Sequence, residues 1–191
     1  MCGRYQFSAD EYKEIRQIVR DAQRRSEGNE LNFPMAGDIC PSQVAPVLVS
    51  RGEKIVGEFQ QWGLPGFRGR QQIINARAET VTEKPMFRRD FFERRCLLPA
   101  SGFYEWSSSK QKYLFHRSDD KPLFLGGFYK RLSDKNPCII LTKEATPPVK
   151  DFHDRIPVLV NEADIEAWLG DIDFAFGYLQ KNYSSPLVYR Q

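Results

Sequence analysis

The sequence predicts a β-rich α+β fold in one domain. Strand-like segments outnumber helical ones, and the two kinds do not alternate as they would in a doubly wound sheet. No linker, internal repeat or low-complexity tract divides the 191 residues, an ordinary length for a single domain, here taken as 1–191.

The elements follow in order. Ser8-Ala9-Asp10-Glu11 has the pattern of a capping box. It predicts a helix running to residue 25, with Tyr12, Ile15, Ile18 and Val19 on one face. Residues 26–32 are a polar break. Residues 44–49 and 55–59 are rich in β-branched side chains and read as strands joined by an Arg51-Gly52-Glu53 turn. Residues 62–70 read as a loop that leads through Ile73 and Ile74 to Asn75-Ala76-Arg77-Ala78-Glu79. Residues 86–93 suit a short helix. Strands are expected at 103–106, 112–116, 123–129 and 138–141. Pro147-Pro148 opens a loop carrying Asp151-Phe152-His153-Asp154-Arg155, and 156–160 reads as one strand. Asn161 can cap a helix holding Ile165, Trp168 and Leu169; residues 171–179 are helical again, and 186–189 end the chain as a strand.

Composition narrows the function. Hydrophobic residues make up 41% and charged residues 28%, which excludes a disordered chain. The net charge of +3 means that any polyanion must be met by a local patch and not by the whole surface. No apolar run approaches the ~18–20 residues that span a bilayer, and the first residues lack the apolar core of a signal peptide. The expected place is the cytoplasm, with no membrane partner and with monomer as the default state. Cysteines 2, 40, 96 and 138 lack C-x-x-C spacing, and His116 and His153 are the two histidines, so neither metal nor cofactor is expected. The thiols are expected to be reduced, with Cys40, Cys96 and Cys138 serving as small core hydrophobes.

Cys2 stands apart. Methionine is normally removed before a small second residue, so the mature chain is expected to begin with Cys2. That puts an α-amine, with a pKa of about 7.7–8.0, next to a thiol. Such an aminothiol condenses with an aldehyde to an imine and closes to a thiazolidine. The plainer reading is that Cys2 is an accident of the start. Gly3 permits a sharp turn, and Arg4 sets an anion ligand beside the nucleophile.

Alternation along Phe103-Tyr104-Glu105-Trp106 puts Glu105 on the face of Phe103. There it is either a solvated edge carboxylate or a buried acid/base with a raised pKa. His153 lies in a loop between acids, where it is either ordinary or catalytic, and His116 reads as structural. Asn75, Arg77 and Glu79 share one face if the segment is extended; such a row suits a phosphate and a sugar oxygen, or is a solvated strand face. Trp62, Phe67, Met86 and Trp106 lie among Arg68, Arg70, Arg88 and Arg89. Aromatics mixed with basics suit single-stranded nucleic acid, or they are core rings and solvated arginines.

Taken together, Cys2-Gly3-Arg4-Tyr5, Trp62-Gly63-Leu64, Asn75-Ala76-Arg77-Ala78-Glu79-Thr80, Arg95-Cys96-Leu97-Leu98-Pro99-Ala100-Ser101-Gly102-Phe103-Tyr104-Glu105-Trp106 and His153-Asp154-Arg155-Ile156-Pro157 resemble the SRAP family, the SOS response-associated peptidases. The resemblance runs from Cys2 to about Trp168. It implies a barrel-like core of antiparallel and mixed sheets with peripheral helices and a basic channel. It implies a DNA-damage function: covalent capture of abasic sites in single-stranded DNA through Cys2, with nucleoid association when bound. Asn75, Glu105 and His153 match the family's active-site trio. Arg4 and Arg77 match its phosphate contacts, Trp62 and Trp106 match positions near the DNA groove, and Arg155 joins the DNA-binding set. The family name adds a peptidase reading, with self-removal of Met1, and a noncatalytic single-strand binder is a third reading. The chain departs from the family pattern at Ile156, in its C-terminal segment and across residues 26–38.

Overall fold

The computed structural model describes residues 2–26, 33–66, 71–132 and 135–191. Its strands are β1 (Tyr5–Ser8), β2 (Ala36–Ile39), β3 (Val44–Arg51), β4 (Lys54–Gln61), β5 (Asn75–Arg77), β6 (Arg95–Ala100) and β7 (Gly102–Trp106). They continue as β8 (Lys112–Arg117), β9 (Leu123–Tyr129), β10 (Cys138–Glu144), β11 (Arg155–Pro157), β12 (Leu159–Val160) and β13 (Leu187–Arg190). The helices are α1 (Lys13–Arg25), α2 (Pro85–Glu93), α3 (Ile165–Gly170) and α4 (Ile172–Tyr178).

The strands form two sheets, as a β-rich α+β domain requires. One has the order β13-β8-β7-β1-β2, and the other runs β11-β10-β9-β6-β3-β4. In the second, β12 pairs with β9, and β5 runs parallel to β10. Just past β4, Trp62 forms a parallel bridge with Cys138 of β10, and Gly63 N donates to the Cys138 carbonyl at 2.8 Å. That bridge curls the second sheet back on itself, which gives the core its barrel-like form. Strands β6 and β9 are buried along their whole length, as strands covered on both faces must be.

Helix α1 lies across β4 and buries Ile15, Ile18, Val19 and Ala22. Each isoleucine contributes about 1.5–3 kcal/mol on burial. The approach is close enough that a Cβ at Gly57 would fall 2.4 Å from the Ile18 carbonyl oxygen, and Gly57 N donates to Asp21 Oδ2 at 2.7 Å. Arg95 is buried and acts as a double C-cap. Its guanidinium donates to the Phe91 and Phe92 carbonyls at the end of α2 and to the Trp168 and Leu169 carbonyls of α3.

Three expectations need correction. Ser8 does not cap a helix; it ends β1, and α1 begins at Lys13. The Glu11 N donation to Ser8 Oγ does form, at 3.2 Å, but it serves the turn between strand and helix. Pairing with both β2 and β7 draws the segment into the sheet. Residues 156–160 form two strands, not one, because the chain passes from β10 to β9, with Val158 bonded to both Leu141 and Gly126. Glu79 is not extended with Asn75 and Arg77: a 3-10 turn at Ala78–Thr80 takes it off their face. Residues 27–32 of the polar break, and Phe67, Arg68 and Arg70, lie outside the described residues. Among the described residues, no helix is long and apolar enough to cross a membrane.

Candidate active site

The site forms where the two sheets face each other. Cys2 lies three residues ahead of β1, whose register with β7 sets Tyr5 opposite Phe103, and Tyr104 N donates to the Arg4 carbonyl at 3.0 Å. This draws the start of the chain alongside the Glu105 end of β7. From the other sheet, Asn75 opens β5, and its Nδ2 donates to the Cys2 carbonyl at 2.9 Å. His153 stands just before β11. Each sheet therefore supplies two of the four residues. Cys2 is wholly buried, with Sγ directed to the Arg4 carbonyl at 3.9 Å. Asn75 Oδ1 is buried and makes no hydrogen bond among the described residues.

Burial sets the electrostatics. Glu105 is 1% exposed, and desolvation raises its carboxyl to about 7. Burial also pushes the Cys2 thiol far up, and the charge of Glu105 adds to that shift. The thiol is therefore held protonated at neutral pH. His153 is half-buried, and desolvation lowers its pKa, which keeps the ring neutral. Arg155 N donates to His153 Nδ1 at 2.9 Å, so in the neutral ring the proton sits on Nε2.

The remaining expected residues are placed differently. Arg77 is exposed on β5. The Arg4 guanidinium lies over the Trp106 ring, 6.0 Å from its centroid, and pairs with Asp38 at 3.6 Å. Trp106 is half-buried, leaving part of it open to a ligand. Trp62 is fully buried, its ring 5.5 Å from that of Tyr5 and its Nε1 donating to the Ile74 carbonyl, so it packs in the core behind the site and has no exposed ring face. Arg155 is committed to protein partners. It grips Glu79 through two bonds of 2.7 and 2.8 Å and donates to the Thr142 carbonyl at 2.6 Å.

Sequence reasoning missed Asp38, which also accepts from the Tyr104 hydroxyl at 3.0 Å, and it missed the pairing of Glu79 with Arg155. Asp38 sits in Ala-Gly-Asp-Ile, a stretch with no strand pattern to reveal it. The Arg155 partnership joins residues 76 positions apart, and only the register of β5, β10 and β11 brings them together. Among the described residues, no three His, Cys, Asp or Glu side chains converge as metal ligands.

Comparison with known proteins bears on this arrangement. The family described as SOS response associated peptidase (SRAP) matches residues 1–183. The chain is 31% identical to Abasic site processing protein YoaM of Bacillus subtilis, over 94% of this chain and 84% of that protein. It is 25% identical to Abasic site processing protein YedK of Escherichia coli, over 88% and 79% of the two chains. A crystal structure of a protein from Bordetella bronchiseptica shares the fold, with a TM-score of 0.76 over 98% of each chain at 21% identity. Another, from Bacteroides thetaiotaomicron, gives a TM-score of 0.75 at 19% identity over 100% of this chain and 92% of that one.

Proposed function

The chain belongs to the SOS response associated peptidase (SRAP) family, and from that premise we propose that it captures abasic sites in single-stranded DNA covalently, through Cys2. The names of its relatives support abasic-site processing. One observation carries the covalent step: the Cys2 backbone is held by Asn75, beside a buried Glu105 whose carboxyl desolvation pushes up to about 7.

The chemistry needs Met1 removed, so that the Cys2 nitrogen is a free amine. His153, with its proton on Nε2, assists opening of the sugar hemiacetal to the aldehyde. The amine attacks C1′, and the carbinolamine loses water to give an imine. Glu105 takes the proton from nitrogen and returns one to the departing hydroxyl. The Cys2 S–H then adds across the C=N bond: sulfur bonds to C1′, and the proton ends on nitrogen. Aldehyde and aminothiol thus give a thiazolidine and one water, with no oxidant. Asn75 fixes the nucleophile, and alignment of this kind is worth effective molarities on the order of 10⁵ M or more. Arg77 and Arg4 hold the flanking phosphates, and Trp106 offers a ring beside them.

The raised thiol argues against a Cys–His peptidase, which depends on a thiolate poised by a lowered pKa. In the capture reaction the amine leads, and a neutral thiol suffices for the second step. The deciding experiment incubates the protein with an oligonucleotide carrying one abasic site and resolves the products on a denaturing gel. The wild type is expected to shift the oligonucleotide, and Cys2→Ala is expected to leave it unshifted. A stable adduct with Cys2→Ala overturns the proposal, and mass spectrometry of the purified amino terminus checks that Met1 is gone.

A further inference from the structure

A row of inward side chains crosses the five-stranded sheet. The register aligns Ile39 with Tyr5, Tyr5 with Phe103, Phe103 with Phe115, and Phe115 with Tyr189. The first four are buried, but Tyr189, on the edge strand β13, is 48% exposed. Its ring nonetheless has three aromatic neighbours: Phe152 at 4.7 Å, Phe115 at 5.7 Å and Tyr113 at 5.8 Å between centroids. Two of these neighbours adjoin residues of the site. Phe152 immediately precedes His153 in the chain, and Tyr113 stands directly opposite Glu105 in the register of β7 and β8. Tyr113 and Phe152 are themselves 4.5 Å apart. A large ring is thus fixed from behind, half open to solvent, and one strand beyond the neighbour of the catalytic carboxylate. Adjacent strands lie about 4.8 Å apart, and Tyr189 aligns with Phe103, two residues along β7 from Glu105, so its backbone sits about 12 Å from that of Glu105.

We infer that Tyr189 is a stacking subsite for an unpaired nucleobase next to the abasic nucleotide. The inference rests on the proposed reading of the site. An abasic sugar offers the protein no base, so recognition through a ring must use the flanking nucleotides. A rigid aromatic face binds any base by stacking, with little sequence preference. Fixing the ring in advance removes the ordering cost that a mobile side chain would carry. The ring also touches the residue next to His153, so an occupied subsite brings the flanking base and the acid/base group into one arrangement.

The experiment measures noncovalent binding, by fluorescence anisotropy, of single-stranded oligonucleotides with a central tetrahydrofuran, an abasic analogue that has no aldehyde. One set carries thymines on both sides of the analogue, and the other carries further tetrahydrofurans in their place. Tyr189→Leu keeps an apolar contact with Phe152 and removes the flat face. It is expected to weaken binding of the thymine-flanked set about five- to tenfold and to leave the spacer-flanked set unchanged. Tyr189→Trp is expected to restore binding of the thymine-flanked set. Equal weakening of both sets, or of neither, overturns the inference. A loss of adduct rate alone, with binding intact, also overturns it and makes Tyr189 only a support for the His153 loop. Failure of the wild type to form an adduct with true abasic DNA would sink the capture reading while leaving the anisotropy comparison to decide the subsite separately.

Discussion

Burial lifts the Glu105 carboxyl to about 7, and the same burial carries a stability cost whose sign can be worked out. In the unfolded chain the group ionises at its ordinary 4.5, and in the fold only near 7. Below pH 4.5 both states are protonated and there is no penalty. The cost grows as pH rises from 4.5 and is complete above 7, where it reaches about 3 kcal/mol. Glu105→Gln is therefore expected to raise the melting temperature at pH 8 and to leave it unchanged at pH 4. It is also expected to remove the inflection near pH 7 from the rate of adduct formation. Thermal melts at the two pH values, with a pH–rate profile, check both. The alternation of β7 made the face of Glu105 legible in sequence, but its burial was not. Cys2, leading into the neighbouring strand β1, and Asn75, from the other sheet, meet beside it only in the fold.

At the level of elements, the Glu79–Arg155 grip ties the turn after β5 to β11, and so ties the carrier of Asn75 to that of His153. The Glu144 backbone N–H adds a third bond to Glu79 at 3.2 Å. Hydrogen bonding by Arg155 holds the Glu79 carboxyl at about 2, so this contribution is present above its ordinary 4.5 and is lost as pH falls through 2. Partial exposure screens its worth. Glu79→Gln is expected to slow capture about tenfold while changing oligonucleotide affinity by less than twofold, because it frees the histidine loop without touching DNA. Single-turnover rates and anisotropy separate the two effects. Strands β3 and β4 were legible because β-branched residues flank a glycine turn, with Gly52 at a φ of +64°. Strands β1, β2 and β6 were not. β1 hid behind a helix-start pattern, β2 has a loop-like composition, and β6 starts with a buried arginine that works for two helices.

The whole molecule carries a net charge of only +3, so attraction to a polyanion falls to a few placed cations. Each phosphate contact to a single strand steepens the log–log salt dependence of binding by about 0.7. Arg77→Ala is therefore expected to flatten that slope by about this amount, and a titration across salt concentrations measures it. Trp62 and Arg155, which the sequence placed with the DNA contacts, are expected to leave the slope nearly as it is, since one is sealed in the core and the other is already engaged. The motifs that resemble the SRAP family singled out Cys2, Asn75, Glu105 and His153 in the sequence, whereas this division of labour among the arginines depends on which carboxylates the fold delivers to them. Strand β1 is flanked by β2 on one side and β7 on the other, and Cys2 lies three residues ahead of it. On the proposed reading, DNA joined to that cysteine pulls on a rib stitched in from both sides and not on a loose thread, so a motor hauling on the strand works against two ladders at once.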